Sequence, residues 1–331
     1  MLTGLMLLLA AGAMNGSFAV PGKRIRGWGW EHGWLLWSIT GLIVVPWGAM
    51  LATVSRPLEV YGNASFQSLA LVAAFGLAWG IAAVLFGLGV TRLGVGIGFA
   101  LILGISSVVG AAGPLLLQDT AKLSRSSAWI TVAGMAVQLA GIACCGVAGS
   151  IRDRERRQGG VRLWSGLIIC ILSGLGSPMV NFGLAFGSGL RGSAMASGTL
   201  PSHAVNAIWP VLFGGAFLIN AGYCAWLISR SSSWAAFRAR FAGSNSVLGL
   251  LMGVLWMASN LSYGYGSGAL GPAGIGLGWP IMMGTTVLTA NAWGIAPGEW
   301  KGSPRRSRLW MAAGTATLMA GVSMIGLASA A

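Results

Sequence analysis

Apolar residues in this chain do not alternate with polar ones. They run in long uncharged blocks at 2–20, 34–54, 66–90, 93–117, 128–149, 163–187, 201–228, 246–266, 270–296 and 309–329. Each block is long enough to cross a hydrocarbon core of ~30 Å, so the pattern predicts ten membrane-spanning helices. Charged residues fall in the short segments between the blocks. The first block is expected to be a span rather than a secretory leader, since no basic residue precedes it whereas Lys23, Arg24 and Arg26 follow it.

Within the blocks the sequence repeats. Gly76, Trp79, Gly87, Gly89, Leu93 and Gly94 recur at constant offset as Gly253, Trp256, Gly264, Gly266, Leu270 and Gly271. After a three-residue insertion, Gly94, Gly96, Gly98 and Gly104 match Gly274, Gly276, Gly278 and Gly284. Glycines at such spacings let apolar helices approach closely in lipid. A weaker match pairs Gly4, Leu5 and Gly12 with Gly166, Leu167 and Gly174. The basic run RDRERRQGGVR then separates a first unit, 1–151, from a second, 163–331, with 152–162 as linker. Five spans per unit is an odd number, so the halves lie in opposite orientations. That is the 5+5 inverted-topology repeat of an all-α transporter, with its site at the interface of the halves.

Composition agrees with a bilayer protein: 55% of the 331 residues are hydrophobic and 8% are charged, too few to cover a soluble globule of this size. The net charge of +14 would suggest nucleic acid in a soluble protein, but here it follows membrane orientation. Of the 20 Lys and Arg residues, all but Arg56, Lys122, Arg125 and Arg191 fall on the same side if the N-terminus is outside. Both termini are therefore expected to face away from the cytoplasm, with no nucleic-acid partner. Cys144, Cys145, Cys170 and Cys224 lie inside apolar blocks and read as core residues. No cofactor, metal or enzyme motif is expected; the run Gly94-Val95-Gly96-Ile97-Gly98 lies inside an apolar block and follows no soluble strand.

Several stretches resemble the L-rhamnose–proton symporter family of the drug/metabolite transporter superfamily. They are NGSFAVPGKRIRGWGWEHGW at 15–34, PWG at 46–48, FGLAWGIAAVLFGLGVTRLGVGIG at 75–98, FGGAFLINAGYC at 213–224, LMGVLW at 251–256 and GEWKG at 298–302. The resemblance implies ten helices in a five-plus-five inverted repeat, and uptake of a deoxy-sugar with protons across a bacterial inner membrane. Its partners would be sugar, protons and the lipid bilayer.

A neutral sugar needs hydroxyl partners and a flat apolar surface. Trp256, Asn260 and Tyr263, spaced i, i+4, i+7, place an indole, an amide and a phenol along one side of the eighth span. In the first half their counterparts are Trp79, Ala83 and Phe86. Asn15 on the first span and Asn181 on the sixth join the candidate pocket; Gln138 and Asn291 read as interhelical hydrogen bonders. All six acidic residues, Glu31, Glu59, Asp119, Asp153, Glu155 and Glu299, lie in loops or at helix ends. His203, the one ionisable side chain placed within an apolar block, is the candidate for proton coupling or sugar binding, the alternative being a hydrogen bond to a neighbouring helix near the outer mouth; Asn206, three residues on and on the same face, joins Trp79 among the candidate sugar-binding residues. The missing intramembrane acid leaves a facilitator or exporter of another small metabolite as the alternative. Pro114, Pro210 and Pro280 are expected to interrupt helices, and Trp28, Trp30, Trp34, Trp164 and Trp310 to anchor span ends in the interface.

Overall fold

The computed structural model describes residues 2–93, 95–117, 125–154, 163–271, 274–296 and 300–328. Every regular element among them is helical. Helix α1 is Leu2–Ser17. The second run folds as α2 (Trp30–Ser38), a π-helical stretch (Ile39–Val44) and α3 (Val45–Thr53). The π-turn lies just before Pro46, whose ring cannot donate to the preceding turn. A short α4 (Pro57–Asn63) leads to α5 (Phe66–Leu93), α6 (Val95–Leu117) and α7 (Arg125–Arg154).

The second half carries α8 (Leu163–Gly176), α9 (Met179–Phe186), α10 (Ser188–Ala196), α11 (Trp209–Arg230), α12 (Ala242–Ala269), α13 (Gly274–Ile295) and α14 (Arg305–Ala328). Among the described residues, eight helical runs are long and apolar enough to cross a membrane. The predicted ninth run forms α13, but its glycines, threonines and Pro280 dilute its hydropathy; α6 is apolar over Ala100–Ala111.

Two predicted spans need correction. The sixth is not one helix: Pro178 has no N–H to return to the preceding turn, so the chain breaks between α8 and α9. The seventh starts later than 201. Residues 201–203 form a turn and Ala204–Ala207 a 3₁₀ helix, and α11 begins at Trp209 with Pro210 in its first turn. Pro210 therefore starts a helix rather than interrupting one. Pro280 does lie inside α13, while Pro114 falls among residues whose side chains lie outside the description.

The helices pack in a regular exchange. α1 lies between α12 and α13, and α8 lies against α5 and α6. α5 crosses α11, while α12 crosses the α2–α3 span; α2 also meets α11, and α6 meets α13. Glycines permit the crossings. A Cβ on Gly76 would overlap the carbonyl oxygen of Leu212 in α11. One on Gly253 would stand 2.7 Å from the Thr40 Cβ and 2.9 Å from the Trp37 carbonyl oxygen. On the periphery α7 and α14 run antiparallel: Gly134 meets Gly321 and Ile325, while Gly141 meets Gly314 and Leu318.

The connections gather at two ends. At one, Asn245 exchanges hydrogen bonds with the backbone of Arg26 at 2.8 and 3.1 Å, and the Arg152 guanidinium lies 4.7 Å over Trp300. Arg92 lies beside Gly166 at the start of α8. At the other, the Ser55 N–H donates to Thr199 Oγ1 at 2.9 Å, and Leu5 lies beside Gly326, which brings the two chain ends together. The connections rich in Arg and Lys thus share one end, called the basic end below.

Candidate functional site

Close crossing of the helices fixes the centre. Trp79 and Trp256 each lie three residues after the glycine that admits the neighbouring helix, Gly76 and Gly253. Their rings stack on one another, centroids 5.1 Å apart at 28°. Trp37 meets Trp256 edge-on at 5.1 Å, and Phe213 meets Trp256 edge-on at 5.0 Å. Trp209 stacks on Phe213 at 5.3 Å, and Trp34 stacks on Trp37 at 4.2 Å. Four spans, two from each half, thus build one aromatic cluster near the middle of the bundle.

Polar atoms at both margins of this cluster lack partners. Trp37 Nε1 and Thr40 Oγ1, on the same face of the second span, are buried with no hydrogen-bond partner among the described residues, and so are Trp209 Nε1 and Asn206 Oδ1. Trp37 is 1% exposed, and Trp209 and Asn206 0%. Nearly all buried polar groups in proteins are paired, and an orphan costs about 1–3 kcal/mol. Two indole donors, a hydroxyl and an amide oxygen beside flat rings are the groups that a polyhydroxylated, partly apolar solute satisfies.

The residues expected from sequence take different parts. Trp256 and Trp79 form the centre of the cluster, Trp256 buried and Trp79 half-buried. Asn260, 3% exposed, turns its amide back to the Trp256 carbonyl at 2.9 Å. Tyr263 and Asn181 come together: the phenol donates to Asn181 Oδ1 and also lies 2.9 Å from the Ile275 carbonyl. Asn181 Nδ2 in turn donates to the Gly110 carbonyl at 2.6 Å, in the first turn that Pro178 opens. Asn15 donates to Thr286 Oγ1 at 3.2 Å, holding α1 to α13. Gln138 bridges Ser107 and the Pro280 carbonyl, and Asn291 donates to Cys145 Sγ at 3.4 Å, so both bond between helices as expected.

Asn206 and His203 do not share a helical face. His203 lies in the turn before the 3₁₀ segment, its ring edge-on to Tyr265 at 5.9 Å. Asn206, within that segment, donates to Thr53 Oγ1 at 2.8 Å and to Tyr265 Oη at 2.6 Å. Nearby, Tyr61 donates to the Ala207 carbonyl at 3.1 Å; burial pushes its phenol up from the usual value, which keeps it a neutral donor. Beside these groups, at the end opposite the basic one, opens a cavity of about 620 Å³ lined by Arg56, Glu59, Asn63, Ser193 and Ser197.

Sequence reasoning missed Trp37, Thr40, Trp209 and Phe213. Trp34, expected at the interface, instead turns inward and donates to Asn220 Oδ1 at 3.1 Å, whereas Trp30 and Trp164 are exposed. No spacing rule marks Trp37 among 16 tryptophans. The motif FGGAFLINAGYC did contain Phe213 and Asn220. Among the described residues no three His, Cys, Asp or Glu side chains stand together to hold a metal, and the four cysteines are free thiols.

Known proteins supply an independent comparison. The chain is 25% identical to an L-rhamnose-proton symporter of Cronobacter sakazakii, over 99% of this chain and 97% of that protein. It is 24% identical to the L-rhamnose-proton symporter of Klebsiella pneumoniae and 23% to that of Escherichia coli, each over 99% of this chain and 98% of the relative. The family model described as L-rhamnose-proton symport protein matches residues 1–331, so the chain belongs to that family of membrane transporters.

Proposed function

We propose that this protein imports L-rhamnose, or a neutral deoxy-sugar very like it, with protons across the bacterial inner membrane by alternating access. The observation that carries the reading is the stacked Trp79–Trp256 pair flanked by buried donors with no partner among the described residues. A 6-deoxy sugar offers a methyl and C–H faces to the rings, and hydroxyls to Trp37 Nε1, Thr40 Oγ1, Trp209 Nε1 and Asn206 Oδ1. Asn260 is within one helical turn of the stack. Asn15, Asn181 and Tyr263 hold the walls.

The architecture of the reading is ten spans in two inverted halves, 1–151 and 163–331, joined by a cytoplasmic linker at 152–162. Three facts support it. Exchanging each span for the one five later maps the α1 contacts with α12 and α13 onto the α8 contacts with α5 and α6. It also maps the α5–α11 crossing onto that of α12 with the second span. Finally, Trp79 and Trp256 correspond in the repeat and touch, as residues beside an in-plane twofold axis must. With the basic end in the cytoplasm, both termini lie in the periplasm. The polar cavity by Arg56 then opens to the periplasm, and His203, near that mouth, is the proton-carrying candidate.

Proteoliposomes with an imposed inward proton gradient test the reading. Labelled L-rhamnose should enter faster with the gradient than without it, and a protonophore should abolish the difference. Entry indifferent to the gradient returns the protein to a facilitator, and no entry at all ends the sugar assignment.

A further inference from the structure

The four orphan groups fall into two pairs, on opposite sides of a closed cluster of rings. Trp79, Trp256 and Phe213 touch pairwise, with centroids 5.1, 5.0 and 5.8 Å apart, so α5, α12 and α11 meet ring to ring. Trp37 and Thr40 lie on the side of the basic end, where α2 begins. Trp37 meets Trp256 at 5.1 Å, and Thr40 packs on Gly253, about one turn before Trp256. Trp209 and Asn206 lie on the other side, where α11 begins. Trp209 stacks on Phe213 at 5.3 Å, and a Cβ on Gly264 would stand 3.0 Å from its ring. Gly253 and Gly264, the neighbours of the two pairs on α12, are separated by about 16 Å of helix. One monosaccharide cannot bridge that interval while the three rings meet within it, so the pairs serve a sugar in turn.

The pair at the start of α11 has a defined chemistry. Asn206 spends both amide hydrogens, on Thr53 Oγ1 at 2.8 Å and on Tyr265 Oη at 2.6 Å. Thr53 gives its own hydrogen to the Ala49 carbonyl at 2.6 Å, so it can only accept from Asn206, and this fixes which way the amide points. Asn206 Oδ1 is left as an acceptor and Trp209 Nε1 as a donor, both buried and both without a partner among the described residues. Tyr265, accepting from Asn206, keeps its hydroxyl hydrogen to give. An acceptor and two donors beside stacked aromatic rings match neighbouring hydroxyls on a sugar that also has an apolar face. The cavity lined by Arg56, Glu59, Asn63, Ser193 and Ser197 opens at this end, and α10, which helps to wall it, packs on the 3₁₀ segment that carries Asn206.

We propose that Trp209, Asn206 and Tyr265 form a second sugar-binding station, separated by the Trp79–Trp256–Phe213 partition from the station of Trp37 and Thr40. The proposal rests on the sugar-transport reading above and adds to it a halt before the rings part. On the orientation given there, the second station faces the periplasm. A sugar entering by the Arg56 cavity is held by hydrogen bonds on that side, and passes to Trp37 and Thr40 when α5, α11 and α12 move apart.

Fluorine NMR of purified protein labelled with fluorotryptophan tests the two stations separately. Trp37→Phe and Trp209→Phe pick the two relevant signals out of the 16 tryptophans. On titration with L-rhamnose both signals should move, each with its own midpoint. Gly264→Ala sets a methyl against the Trp209 ring and away from Trp37. It should raise the Trp209 midpoint about 5- to 10-fold, the worth of one hydrogen bond, and leave that of Trp37 within about twofold. The same methyl displaces the Trp209 signal before any sugar is added, which assigns it even if Trp209→Phe proves unstable. A Trp37 signal that moves while Trp209 stays still overturns the second station and leaves the transport reading intact. A single shared midpoint, moved as one by Gly264→Ala, also overturns it. If neither signal moves and vesicles take up no rhamnose, the sugar reading itself fails and the second station falls with it.

Discussion

The aromatic centre and the polar flank beside it, around Asn181 and Tyr263, are both buried, but they differ in how their polar groups are spent. On the flank the named donors are matched: Tyr263 to Asn181, Asn181 to the Gly110 carbonyl, Asn15 to Thr286, and Gln138 Nε2 to Ser107 and the Pro280 carbonyl, with only the Gln138 amide oxygen left over. At the centre the Trp37 and Trp209 indole N–H groups and the Thr40 hydroxyl have no partner among the described residues. Matched donors fix helices, whereas unmatched donors beside a flat ring can bond a solute. Polarity alone does not separate the two regions; unmatched indole donors do.

Four substitutions break or sharpen this contrast. Trp256→Ala removes the ring that Trp37, Trp79 and Phe213 all touch, so it should destabilise the fold by about 3–5 kcal/mol and abolish rhamnose uptake. Denaturation in detergent and vesicle uptake check both effects, and full uptake would displace the centre from the reading. Tyr263→Phe leaves Asn181 Oδ1 without its donor, at a cost of about 1–3 kcal/mol in stability. The KM for sugar should hold; a rise in KM without loss of stability would move Tyr263 from flank to site.

Trp37→Phe keeps an aromatic ring but deletes the unbonded N–H together with part of the bicycle. The void should lower the melting temperature by a few degrees, while the KM for rhamnose rises about 5- to 10-fold, the worth of one hydrogen bond. A fall in stability with unchanged KM would show that the N–H meets no sugar. Asn15→Ala is the mildest: it removes one bond between α1 and α13 and should cost only about 0.6 kcal/mol, read as a melting shift near the limit of measurement.

What the sequence made legible follows from which constraints are local. Uncharged runs are local, and they located the helices. The paired Gly76 and Gly253, each followed by its tryptophan, were visible because a crossing that admits no Cβ leaves no choice of residue. The break at Pro178 and the late start of α11 at Pro210 escaped because each proline falls within an otherwise unbroken apolar run.

The candidate site was half legible. Trp79 and Trp256 were found through the repeat. Tyr263 was assigned to the site on polarity, although its hydroxyl meets Asn181 from a segment 82 positions away. Trp37 and Thr40 carried no signal, since lacking a partner depends on what the rest of the chain does not bring near. His203 looked embedded because apolar residues surround it in sequence, yet it lies in a turn; His32 sits beside a basic strap in sequence and is the more buried of the two.

The seam between α7 and α14 has a mechanical consequence. Gly134, Gly141, Gly314 and Gly321 set main chain directly against main chain, leaving no thickness for an acyl tail and no long side chain to swing aside. Each of the two helices packs most extensively on the other, outside the four spans that build the aromatic centre. On the alternating-access reading a carrier needs an axle that stays put while its jaws exchange sides, and these two rods are built as one.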